Sequence, residues 1–275
     1  MGTNQMRVRF HGVRGSMPNP DSTVARYGGD TLCIEIDTAT SSHRLLIDAG
    51  TGIRNVAVPA PDDGESLEVD LLLSHFHLDH IIGLPFFAPI FQPQHTFHFH
   101  GRAEGMTVHD AINGALRPPW FPVPVCESPS EKTFTDLDGS SFEIEGLQIT
   151  PIWLHHPQGV TGYRIESGDQ VIVVATDHES GDEEADARLV EAARGANLLV
   201  HDAQYLETDY KEHEGWGHST WQRAIEAAER AGVERLLIVS HDIHRTDAEL
   251  DAIVAKVQAE RPWVDAARSG LVVEV

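Results

Sequence analysis

The sequence predicts an α/β fold in which two mixed β-sheets are flanked by helices on their outer sides, formed by one domain spanning residues 1–275. Three observations carry this expectation. Apolar or alternating runs recur along the chain, too short for helices and rich in β-branched residues. The early runs follow one another as hairpins, whereas the later ones alternate with helix-length amphipathic stretches. No internal repeat and no linker rich in Pro, Gly or Ser divides the chain.

In chain order, the pattern places strands at 7–11, 32–37, 44–48 and 70–74, the last (DLLLS) apolar on both faces as an inner strand requires. A helix follows at 79–86, then a strand at 96–100 and a helix at 107–116. Segment 117–130, RPPWFPVPVCESPS, carries too much proline for a helix or an inner strand and reads as a long ordered loop lying over an active site. Strands at 142–145, 147–154, 161–166 and 170–175 come next. Helices at 183–194, 219–231 and 247–260 then alternate with strands at 197–201 and 235–240, and a strand at 271–275 closes the chain. Ser219 and Thr220 cap the helix that Gly232 ends.

At 275 residues with 41% hydrophobic content the chain can bury a substantial core. Forty-three acidic residues against 20 basic ones leave a formal net charge of −23, and only Lys132, Lys211 and Lys256 are lysines. Such a surface repels a phosphate backbone, so long nucleic acids and anionic membranes are poor partners and are not expected. A small anionic substrate remains, provided bound cations or arginines reverse the field in one pocket. A second copy of the chain, as a homodimer, is the other partner allowed. Cys33 and Cys126 lack CxxC partners and read as buried free thiols. No leader pattern and no apolar run of about 18 residues is seen, so the expected location is the cytoplasm.

Seventeen histidines are many, but their grouping is what matters. In Ser74-His75-Phe76-His77-Leu78-Asp79-His80 the chain is still extended at His75 and His77, so both imidazoles point the same way and can reach one cation. Asp79 and His80, where a helix begins, turn away from that pair and can serve a second ion. One loop cannot close two coordination spheres, so later strand ends should add ligands. His156, Asp177 and His241 each follow an apolar run, and Asp177, as a carboxylate, can bridge two ions. His155 alternates to the other face.

HFHLDH, the phrase Asp48-Ala49-Gly50-Thr51-Gly52 before it, and His156, Asp177 and His241 after it resemble the metallo-β-lactamase fold superfamily of metal-dependent hydrolases. The resemblance spans essentially the whole chain. It implies an αβ/βα four-layer sandwich with a dinuclear metal site at one edge, holding two divalent ions: zinc first, with manganese or iron as alternatives. His75, His77 and His156 would hold one ion, Asp79, His80 and His241 the other, and Asp177 both. His156-Pro-Gln-Gly-Val-Thr-Gly162-Tyr163 fits the family's H-x5-GY phrase, and Asp48 is expected to orient a ligating imidazole.

The C-terminal third is similar to the phosphodiesterase branch, which includes tRNA 3′-end endonucleases and cyclic phosphodiesterases of the phosphonate pathway. The resemblance rests on Leu198-Leu199-Val200-His201-Asp202, Gly217-His218-Ser219-Thr220 and Ser240-His241-Asp242. It implies that Asp202, in place of the more usual Glu, pairs with His218 to assist the leaving oxygen. Gly12-Val13-Arg14-Gly15-Ser16-Met17-Pro18 resembles a subgroup of the same branch that includes cyclic-nucleotide phosphodiesterases, and Arg14 is expected there as a phosphate clamp.

The expected reaction is attack of a metal-bridging hydroxide on the phosphorus of a small phosphodiester such as a cyclic nucleotide, with Asp79, Asp202 and His218 in the catalytic set. The competing readings are a lactonase or thioesterase using the same ions, and a non-catalytic binding protein of the same fold. His98 and His100 are expected on one solvated strand face, and His11, His43, His95, His109, His201, His213 and His244 show no ligand grouping. His178 is a candidate pocket residue. For Trp120 and Trp216 packing is the default over stacking on a base.

Overall fold

The computed structural model describes residues 6–37, 42–59 and 64–275. Among them the strands form two seven-stranded sheets. The first holds β1 (Arg7–Gly12), β2 (Cys33–Ile36), β3 (His43–Ile47), β4 (Glu68–Leu72), β5 (Thr96–Gly101) and β6 (Glu131–Asp136). The second holds β7 (Phe142–Ile144), β8 (Leu147–Leu154), β9 (Val160–Ser167), β10 (Gln170–Ala175), β11 (Leu198–Asp202), β12 (Leu236–Val239) and β13 (Val264–Ala266). The final strand, β14 (Val272–Glu274), returns to pair with β1. Both sheets are mixed: β3 to β6 run parallel, as do β10 to β13, and the remaining pairs are antiparallel.

The helices are α1 (Leu78–Ile81), α2 (Val108–Ala115), α3 (Glu183–Ala192), α4 (Glu207–Tyr210), α5 (Trp221–Ala231) and α6 (Asp247–Gln258). The inner strands are apolar on both faces because both faces are covered. Leu45 and Ile47 face the second sheet with Phe10, Ile34 and Leu72, meeting Tyr163, Ile172, Val174 and Val200. Leu46 points outward to pack with Val69, Phe97, Val108 and Ile112, while Val173, Leu199 and Ile238 meet Leu189, Ala224, Ala228 and Leu250. The result is the αβ/βα four-layer sandwich that the sequence predicts.

Several details differ from expectation. β6 and β13 were not foreseen, since both lie at sheet edges, where short or polar strands suffice. The helix expected at 79–86 is only α1 followed by a tighter turn at Leu84–Phe86, because Pro85 cannot donate an N–H. The proline-rich segment packs on α2 through Val125, whose N–H donates to Leu116, and on Phe86 through Phe121; it does not line the cavity described below. His100 is half-buried rather than solvated, stacked on Phe142 and donating to Asp70 at 2.6 Å, and Asp70 also accepts from His43. Cys33 is buried but Cys126 only half so. No described helix is long and apolar enough to cross a membrane.

Candidate metal centre

The expected ligands sit where strands stop. β8, β10, β11 and β12 share a direction, so His156, Asp177, Asp202 and His241 leave the second sheet at one edge. His75 leaves β4 of the other sheet, and two bonds tie it across the gap: Tyr163 Oη donates to Leu73 O at 2.6 Å and Thr161 N to Ser74 O at 2.8 Å. Asp48, Asp177 and Ser240 turn the chain off their strands in the left-handed region, at φ 60°, 51° and 58°. Non-glycine residues are held there only when the surroundings fix them.

The imidazoles converge on one another. The rings of His75 and His77 lie 4.4 Å apart, His75 and His80 4.2 Å, and His77 and His156 4.9 Å. His80 thus sits against His75 rather than turned away from it. Hydrogen bonds fix the tautomers. His156 Nδ1 donates to Gly217 O (2.8 Å) and His77 Nε2 to Gln158 Oε1 (3.0 Å), which leaves His156 Nε2 and His77 Nδ1 as bare lone pairs facing each other at 3.1 Å. Two acceptors in that arrangement repel unless something positive lies between them. His75 Nε2 is buried with no partner and its ligand atom falls in the same group. Burial pushes His75 well down, and brings His156 to about 4 despite the pull of Asp177, so both are neutral donors. These three imidazoles fit a divalent cation.

A second group shares His75 and adds His80 and Asp177. His80 Nδ1 donates to Asp48 Oδ2 at 2.7 Å, and its Nε2 meets Asp177 Oδ2 at 3.1 Å and Asp79 Oδ2 at 3.3 Å. Burial opposes a charge on His80, but Asp177, Asp79 and Asp48 outweigh it and raise the imidazole well above its ordinary range. His241 lies outside these close groups. Its Nε2 donates to Ala267 O at 2.8 Å, burial lowers it to about 4, and its Nδ1 is buried and bare, the state of a ligand imidazole.

Next to the cluster, His218 Nδ1 donates to Asp202 Oδ2 and the Ser219 N–H to Asp202 Oδ1, both at 2.8 Å. Asp202 is fully buried. Burial disfavours the imidazolium, yet Asp202 and then Asp177 raise His218 to about 9. With Nδ1 committed to Asp202, Nε2 is the nitrogen left to act on a substrate.

Arg14 requires a correction. It is fully buried, and its guanidinium donates to Gly28 O from two nitrogens and to Asp242 O and Arg245 O from the third. A guanidinium engaged with carbonyls on several sides braces the loops and has no face to offer a phosphate. His178 is also turned from the cavity, bonded to Asp186 at 2.9 Å. The cavity over the cluster, about 480 Å³, is lined by His77, Asp79, His156, Asp177 and His218, by Trp216, for which packing was the default expectation, and by residues given no site role from the sequence, among them Ser16, Gln204, Tyr205 and His213. The only available signal was the proximity of His213 and Trp216 to His218 along the chain.

Residues 43–241 match the family model described as the Beta-lactamase superfamily domain. The chain is 24% identical over 285 positions to ribonuclease Z of Halobacterium salinarum, covering 85% of this chain and 86% of that protein. Among solved structures, the metallo-beta-lactamase fold protein YhfI from Bacillus subtilis superposes with a TM-score of 0.71 at 18% identity, covering 99% of this chain and all of that one. A diphosphatase of the PhnP family gives 0.71 at 17% identity, covering 98% and 97%. The two structural likenesses are likenesses of fold.

Proposed function

The chain belongs to the beta-lactamase superfamily, and from that premise we propose that it is a metal-dependent phosphoric diester hydrolase acting on a small diester, with a cyclic nucleotide as the favoured substrate. His75, His77 and His156 would hold one divalent cation, Asp79, His80 and His241 a second, with Asp177 shared. An all-imidazole and carboxylate donor set suits zinc, and manganese or iron are the alternatives. When bound, such ions acidify water and offset the charge gathering on phosphoryl oxygens. Asp48 fixes the orientation of His80 through its Nδ1–H. Asp202 keeps a proton on His218 Nδ1, so that Nε2 carries the other proton into the cavity. In the reaction the Nε2 proton passes to the departing alkoxide, a contribution on the order of 10²–10⁴-fold.

The observation that carries this reading is the buried Asp202–His218 pair beside the imidazole cluster. A thiolate leaves without an acid, so thioesterase chemistry gives the pair no task. The likeness to a ribonuclease makes an RNA end the competing substrate, against which the net charge of −23 argues. The test is the metal-loaded protein assayed on bis(p-nitrophenyl) phosphate, 2′,3′- and 3′,5′-cyclic nucleotides, an RNA with a 3′ extension and an acyl lactone, alongside metal analysis. Turnover of the small diesters is expected. Lactone opening with no phosphodiester activity would reject the proposal.

A further inference from the structure

We propose that Trp216 is a stacking platform for the nucleobase of the substrate, held rigid on the cavity rim by Glu179. The placement of the phosphate rests on the phosphodiesterase reading; the platform itself rests on geometry. An exposed tryptophan alone means little. Trp216 is 62% exposed, yet the backbone on both sides of it is fastened by one buried carboxylate. Glu179 Oε1 accepts from Gly215 N–H and from Tyr210 Oη, each at 2.7 Å, and Oε2 accepts from Gly217 N–H at 2.8 Å. Gly215 and Gly217 adopt φ of 84° and 93°, and a Cβ on Gly217 would fall 2.1 Å from His156 Nδ1, so the segment tolerates no other residue there. A large apolar side chain is thus presented to water on a backbone that cannot fold it away.

The ring is also directed by its neighbours. His213 meets the indole at 83° with centroids 4.8 Å apart and is itself stacked on Tyr205 at 4.4 Å, which lies 6.0 Å from His218. Among the described residues no ring is stacked on the indole. Trp216 and His218 are two residues apart and line the same cavity. A ligand with a planar ring on Trp216 and a phosphate at His218 therefore occupies one continuous space, and a planar ring joined to a phosphate is the make-up of a nucleotide. The cavity volume of about 480 Å³ suits a ligand of that size.

The test compares AMP with ribose 5-phosphate, which lacks the base, by calorimetry on the metal-loaded full chain. The native protein is expected to prefer AMP. Trp216→Ala should cut that preference about 10- to 100-fold, the range found when a stacking aromatic is removed, and Trp216→Phe should retain part of it. Trp120→Ala, at a still more exposed tryptophan away from the cavity, should retain all of it. The proposal is overturned if the native protein binds AMP no more tightly than ribose 5-phosphate, including no binding of either, or if Trp216→Ala keeps the native preference. No turnover is read, so a Trp216-dependent preference in a protein that cleaves no phosphodiester would refute the activity and leave the platform standing.

Discussion

Asp202→Asn tests the acid at the centre of the proposed chemistry. Asp202 offers two buried oxygens, one to His218 and one to the Ser219 N–H, whereas an asparagine offers one. One donor is therefore left buried without an acceptor, at a cost of about 1–3 kcal/mol in stability. The larger effect falls on protonation. Against burial, Asp202 and then Asp177 hold His218 near 9; removing the Asp202 charge takes away the largest upward pull, so the imidazole moves down toward its ordinary 6.5 with Asp177 still drawing it up. At pH 8 the protonated fraction then falls from about 0.9 toward a floor of about 0.03 at a full return to 6.5, so the loss of available acid is at most roughly 30-fold before any misorientation is added. The assay is kcat from pH 6 to 10 on a diester with an alkoxide leaving group and on one with p-nitrophenolate, which departs without a proton. The descending limb near pH 9 should move toward neutrality, and the loss should fall mainly on the alkoxide substrate. A limb that stays near 9 in the variant, or equal losses on both substrates, refutes the reasoning. The same shift stabilises the fold: because the folded value lies above the ordinary one, His218 contributes fully below about 6.5 and the contribution is lost as pH rises through about 9.

Asp177→Ala should lose bound metal and activity together, measured by elemental analysis beside kcat; a variant that keeps two ions and full rate denies Asp177 the shared position. Arg14→Met strands the carbonyls of Gly28, Asp242 and Arg245, costing at least about 3 kcal/mol and lowering Tm by roughly 5–10 °C, with KM unaltered; a raised KM at unchanged Tm would restore the phosphate clamp. Burial would raise Asp70, but His100 and His43 hydrogen-bond it down to about 2, so its contribution is present above about 4 and lost as pH falls through 2. Denaturant titration should show the native chain losing about 2 kcal/mol more than Asp70→Asn between pH 6 and pH 2; equal losses would remove the cluster from the stability of the first sheet.

The sequence by itself determined the layered architecture, because inner strands such as DLLLS and QVIVVA must be apolar on both faces when helices cover one and a second sheet the other. It also pointed to which residues gather, since His156 and Asp177 terminate strands of shared direction and HFHLDH, at the end of β4 in the other sheet, meets them. It was silent on β6 and β13, whose edge positions ask for little apolar pattern. Only the tertiary structure decided what Arg14 does, because a buried brace and a phosphate clamp need the same side chain on the same turn and differ in which carbonyls come within reach. The same holds for Glu179, which fastens the amides on either side of Trp216 from 36 and 38 positions away, and no local spacing records which carboxylate will meet which amide.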